Sequence, residues 1–109
     1  MVMVLVEYLN LRYYLFMRLI SDTPLRAFCA SHPEAKDAIW AFRSIILKGS
    51  FANFAELKAA FNATDKVGEF CVFDIGGNKY RLIAKIEFKL QILFVREVFT
   101  HKEYDKWKP

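Results

Sequence analysis

Cysteine is scarce in this sequence. Cys29 and Cys71 are the two present, and they do not form a CxxC pair. That excludes a cysteine-pair zinc site or a dithiol redox motif. Cys29 falls in an expected helix and Cys71 in an expected strand, so both read as small buried hydrophobes rather than a disulfide. The two histidines, His32 and His101, stand far apart and suggest no metal constellation. No metal or cofactor is expected. There is no low-complexity run, internal repeat or interdomain linker. No apolar run reaches the ~20 residues of a membrane span. The nearest approach, Met1 to Phe16 (MVMVLVEYLNLRYYLF), is interrupted by Glu7, Asn10 and Arg12. It also lacks the basic region and small-residue cleavage site of a signal peptide. No membrane partner is expected, and a reducing cytoplasm fits the cysteine usage.

What is present describes one folded domain. Of 109 residues, 55% are hydrophobic and 26% charged, which excludes a disordered chain. This length supports a single core, and 11 phenylalanines can fill it with few side chains. The net charge of +4 permits an anionic partner such as RNA without demanding one. Met17 opens a first strand, MRLIS. We expect Met17 to be the natural start, with residues 1–16 an apolar extension from an upstream start and residues 17–109 the domain. Native peptides recovered from before Met17 would overturn this. A genuine extra strand or helix packed on the domain is the alternative.

Helices follow. Ser21 to Ser31 reads as a short helix capped by Ser21 or Asp22, with Pro24 in its first turn. Ser31 and Glu34 form a capping-box pattern for a second helix. Its core stripe is Ala35, Ala38, Ile39, Phe42, Ile45 and Ile46, and Gly49 ends it. Trp40 and Leu47 lie off the stripe, as half-buried cover or as contacts for a protein partner. Phe51 to Asn62 suggests a short third helix, and Asn62 to Gly68 a loop.

Phe70 to Tyr104 dominates the rest, as three consecutive strands. Gly76-Gly77-Asn78 signals a tight hairpin, because glycine accepts positive φ without steric cost. Beyond it, Tyr80, Leu82, Ala84, Ile86 and Phe88 share a core face. Lys79, Arg81, Ile83, Lys85 and Glu87 share the opposite one. Leu90 to Phe99 is nearly all apolar and reads as a central strand covered on both faces. Arg96 and Glu97 interrupt it. Helices followed by strands give an α+β fold with an antiparallel sheet.

These residues resemble a known family. VFDIGGNKYRLIAKI, followed by ILFVREVFTHKEYDKW, is similar to the HigB-type toxins of bacterial type II toxin–antitoxin systems. LISDTPLRAFCASHPEAKDAIWAF is similar to their N-terminal helical region. The resemblance spans about Met17 to Trp107, and GGNKYRL with REVFTHKEYD is specific in combination. It implies a RelE-like fold, with an N-terminal strand and helices packed on an antiparallel sheet formed with three C-terminal strands. It implies an endoribonuclease, an mRNA interferase that cuts translated messages on the ribosome and so inhibits translation. It also implies a helix-turn-helix antitoxin of the HigA type. The toxin–antitoxin pair would repress its own operon, so DNA is met only through the complex.

Metal-free RNA cleavage needs a base for the 2′-OH, a grip on the scissile phosphate, cations for its growing charge, and an acid for the 5′-oxygen. Arg81 suits the phosphate, since its planar fork matches phosphate oxygens. Arg96 is the second phosphate candidate. Lys79, Lys85 and Lys102 are supporting cations. His101 is the best proton-transfer group, with an ordinary pKa near 6.5. Tyr104 could move a proton or stack on a base. Which of His101 and Tyr104 is base and which acid stays open. Plainer readings exist for each. Arg81 and Lys79 are ordinary charges of a solvent face, and Arg96 pairs with the neighbours of Glu97 or with Asp74. His101 is then structural, and Tyr104 caps the core. An inactive RNA- or antitoxin-binding module of the same fold is the alternative function.

Overall fold

The computed structural model describes residues 16–109. The expectations for the first fifteen residues therefore lie outside the described residues. β1 (Arg18–Ile20) leads to α1 (Asp22–Ser31), a 3-10 turn (Pro33–Ala35), α2 (Lys36–Lys48) and α3 (Phe54–Ala60). Then come β2 (Thr64–Val67), β3 (Phe70–Ile75), β4 (Tyr80–Glu87), β5 (Ile92–Thr100) and α4 (His101–Asp105). The strands form one sheet in the order β1-β5-β4-β3-β2. This is the expected α+β fold, with two differences.

The first difference is β2. Residues 62–68 were expected to be a loop, yet Thr64–Val67 pairs antiparallel with β3, Val67 opposite Phe70. Two charges in four residues, Asp65 and Lys66, hide the strand from a hydrophobicity reading. They suit it, because charged side chains protect a sheet edge from further pairing. Gly68 has φ +60 and Glu69 does not join the positive-φ residues, the pattern of a II′ turn. The second difference is β1, which pairs parallel with β5, Arg18 opposite Ile92. The long helical crossover between the two strands makes a parallel partner possible. The sheet is therefore mixed.

One face of the sheet is the core. Phe73, Leu82, Leu93, Val95 and Val98 meet Leu25 and Phe28 of α1 and Ile39, Phe42 and Ile46 of α2. Phe73 is 1% exposed and packs edge-on to Phe42 and Phe61, with ring centroids 4.8 and 5.5 Å apart. Ala35, Ile39, Phe42 and Ile46 form the real stripe of α2. Ile45, expected within it, is 49% exposed, and Trp40 is half-buried. At 100° per residue Ile45 sits just past the edge that faces the sheet. Burial raises the Cys71 and Cys29 thiols above their ordinary range, so both stay protonated; they are free cysteines.

The expected helix caps are replaced by longer-range contacts. Neither Ser21 nor Ser31 caps through its side chain. The Asp22 carboxylate instead takes both ends of the Arg43 guanidinium, at 3.1 and 3.0 Å. Glu34 faces the Tyr80 hydroxyl, and burial together with that carboxylate holds the phenol proton on. Gly49 does end α2, but at an extended φ of −104 rather than a left-handed one. Its role is room, since a Cβ there would meet the Phe51 ring at 2.6 Å. Gln91, at φ +53, joins distant segments. Its amide nitrogen donates to the Phe51 and Phe88 carbonyls, and its oxygen accepts from Phe51 N–H. The turn before β5 thus occupies residues 88–91, and Leu90, expected in the strand, is half exposed.

A bulge shapes β5. Ile83 is opposite Glu97 and Ala84 is opposite Val95, leaving Arg96 as the extra residue. Leu93 and Val95 point to the core, and after the bulge Val98 does so too. Both Arg96 and Glu97 are thereby kept out of the core and stay exposed. A regular strand would have turned Glu97 into it.

Candidate functional site

The second face of the sheet was expected to be an open cationic surface around a single isoleucine. Instead the tail after β5 folds back over it. Ile83 is 1% exposed and Val72 3%, although both point away from the main core. Trp107 meets Phe70 edge-on at 5.8 Å and stacks on Tyr104 at 5.8 Å. The hinge of this tail is a capping box that the sequence spells as Thr100-His101-Lys102-Glu103. The Thr100 hydroxyl accepts from Glu103 N–H at 3.3 Å, and the Glu103 carboxylate accepts from Thr100 N–H at 2.8 Å. These bonds hold the Glu103 carboxyl below its usual range. A bond from His101 N–H to the Lys79 carbonyl, 3.0 Å, fastens the start of α4 to the β3–β4 turn.

Three sequence candidates converge there. Arg81, on β4, projects from the outer face with its side chain only 12% exposed. Asp74 on β3, its register partner, takes Nη1 at 2.9 Å. The Asn78 side-chain oxygen takes Nη2, from a turn in which Gly76, Gly77 and Asn78 all have positive φ. Nη2 also lies 3.0 Å from Nδ1 of His101. Arginine has no acceptor, so Nδ1 accepts here and the ring's proton sits on Nε2, 3.8 Å from Asp105. The guanidinium carbon lies 5.6 Å from the centroid of the Tyr104 ring, a cation–π distance. His101 is about half exposed.

The other candidates are not part of this cluster. Asp74 pairs with Arg81, so the expected Arg96–Asp74 bridge is not formed. Arg96 lies two to three residues along the sheet from Arg81's register partner, roughly 7–10 Å, beside Phe70 and Trp107. Lys79 is an exposed turn residue whose carbonyl, not its ammonium, makes the fastening contact. Lys85 lies roughly 13 Å along β4 from Arg81, 3.6 Å from Glu69. Lys102 is exposed on α4. Residue reading missed Asn78 and Asp105 as partners and set Asp74 beside Arg96 rather than Arg81. It also missed the capping box, whose T-x-x-E signal was present.

The model of a family described as HigB toxin, the RelE-like toxic component of a toxin–antitoxin system, matches residues 35–107. That is more than half of the chain and includes the whole cluster. The chain belongs to the HigB toxin family. It is 37% identical over 92 residues to the mRNA interferase toxin HigB of Escherichia coli strain K12, covering 82% of this chain and 88% of the relative. The mRNA interferase HigB of Shigella flexneri matches to the same extent. The mRNA interferase HigB of Escherichia coli O6:H1 is 31% identical over 93 residues, covering 83% and 90%. As the toxic component of such a system, a HigB toxin has an antitoxin as its partner. No helix among the described residues is long and apolar enough to cross a membrane.

Proposed function

We propose that this HigB toxin is a ribosome-dependent, metal-independent endoribonuclease that cuts translated mRNA in the cytoplasm. The observation that carries the reading is the bond between Arg81 Nη2 and His101 Nδ1. It joins a preoriented, mostly buried cation to a half-exposed proton acceptor. A phosphate oxygen is a stronger acceptor for guanidinium than a neutral imidazole. A phosphate arriving on Arg81 therefore takes over Nη2 and frees Nδ1. That nitrogen then removes the 2′-OH proton, and the 2′-oxygen attacks phosphorus. The P–O5′ bond breaks as the Tyr104 hydroxyl protonates the 5′-oxygen. The products are a 2′,3′-cyclic phosphate and a 5′-hydroxyl. Solvent returns the proton to Tyr104 and takes one from His101. Arg81 stabilises the charge on the phosphate throughout, and Arg96 and Lys79, with Lys85 and Lys102 further out, draw in the polyanion.

The antitoxin is a helix-turn-helix protein of the HigA type, and the complex represses its own operon. Growth arrest with message-end mapping tests the reading. Wild type should arrest growth and cut translated messages, while Arg81→Ala and His101→Gln should do neither. A wild type that is folded yet neither arrests growth nor cuts would contradict it. The burial of Arg81 against Asp74 favours a second reading, an inactive RNA- or antitoxin-binding module, and that result would leave it standing.

A further inference from the structure

Beside the cluster, the outer face of the sheet opens into a groove of about 350 Å³. Its walls include Glu69, Phe70, Ile83, Arg96, Glu97 and Trp107. Three features stand out. Part of the lining is apolar, from Phe70 and Trp107 over the buried Ile83. One wall is aromatic, with Trp107 edge-on to Phe70 and stacked on Tyr104. The bulge in β5 delivers Arg96 and Glu97 side by side to the rim, one cation and one carboxylate. The volume is near the low end for small-ligand pockets, roughly 300–1,000 Å³.

A pure phosphate track would not place carboxylates on its wall. A slot with apolar and aromatic lining, the carboxylates of Glu69 and Glu97 and the cations of Arg96 and Lys108 suits a nucleobase with its phosphate. The Tyr104 ring lies between this groove and Arg81, 5.8 Å from Trp107 and 5.6 Å from the guanidinium carbon. A nucleotide in the groove is therefore the neighbour of the one whose phosphate sits on Arg81. We propose that the groove binds one unpaired nucleobase of the RNA next to the cut. The base stacks on Trp107, Arg96 holds its phosphate, and Glu97 accepts from an exocyclic amino group. Adenine, cytosine and guanine carry that amino group and uracil does not, so uracil is disfavoured. Stacking on protein aromatics and carboxylate acceptance from base amines are both common in RNA recognition. The proposal rests on the cleavage reading above and adds a subsite to it.

The test uses the full chain with Trp40→Phe, which leaves Trp107 as the sole tryptophan. The probes are 2′-O-methyl trinucleotides, which cannot be cleaved because the attacking hydroxyl is blocked. Trp107 emission should be quenched saturably. An abasic site in the trinucleotide should weaken binding at least about tenfold, and uracil should bind more weakly than adenine at the same position. Glu97→Ala, at an exposed site that threatens no fold, should erase the adenine preference. Binding seen by anisotropy without quenching, equal affinity for the abasic probe, or no binding would each overturn the proposal. Message-end mapping separates the two claims. Cutting by Trp107→Leu with unchanged base preference sinks the groove and spares the nuclease. A silent wild type with base-dependent quenching intact sinks the nuclease and supports the groove.

Discussion

At the scale of single residues, Arg81 is a strut and, in the proposed cleavage, the group that grips the phosphate. It holds Asp74, Asn78 and His101 together. Arg81→Lys keeps the charge and loses the fork. We expect it to lower cleavage by at least about 10²-fold, the cost typical of removing one transition-state donor. A double-mutant cycle with Asp74→Ala should give a coupling of about 1–3 kcal/mol, because the pair is part-buried and charge-assisted. Denaturant melts check it. His101 was legible as a chemical group, since histidine is the side chain most often used for proton transfer. Its partner was not, because Arg81 and His101 are twenty residues apart and only the β4–β5 register brings them together. Gln91 was illegible for a related reason, as two of its three side-chain bonds reach a segment forty residues away. Gln91→Ala should cost about 1–3 kcal/mol, since it strands buried backbone groups of Phe51. A smaller loss in a thermal melt would mean that water replaces the amide.

At the scale of elements, α4 is the part on which the site depends most. It is only five residues long, too short to be stable on propensity alone, so its capping box and its docking decide its position. Thr100→Ala should cost about 0.5–2 kcal/mol of stability and reduce cleavage by loosening His101. The same box sets an acid limit. The folded Glu103 carboxyl lies below the ordinary 4.5. Its stabilisation is therefore complete above that value and is lost as pH falls through the folded value. Glu103→Gln should flatten the acid limb of the stability curve below about pH 4.5, read by chemical denaturation across pH. β3, β4 and most of β5 could be read from alternation and from the Gly76-Gly77 turn. β2 could not, because its edge position calls for charge where a strand reading looks for apolar residues. The 3-10 turn also escaped, as Ser31 and Glu34 match a capping box that the chain does not make.

At the scale of the whole molecule, one sheet carries two layers of different kind. The inner layer is a conventional aromatic and aliphatic core. Phe73→Ala there should cost about 3–5 kcal/mol, a large share of the roughly 5–15 kcal/mol that holds a domain folded. The outer layer is small, with Val72 and Ile83 sealed beneath the tail that carries Tyr104 and Trp107. Sequence alternation placed Ile83 on the outer face but could not show it covered, because the cover is a segment outside the strands. That cover turns a solvated sheet face into a second, small buried layer.

The central claim is that His101 moves the proton that starts cleavage. The most direct measurement is single-turnover cleavage of a message on translating ribosomes by purified wild type and His101→Gln, both shown to be folded. His101 is about half exposed, so the variant should keep its stability. The expected rate for His101→Gln is lower by about 10²–10⁴-fold, the usual share of acid–base help. Cleavage by His101→Gln at the wild-type rate would contradict it.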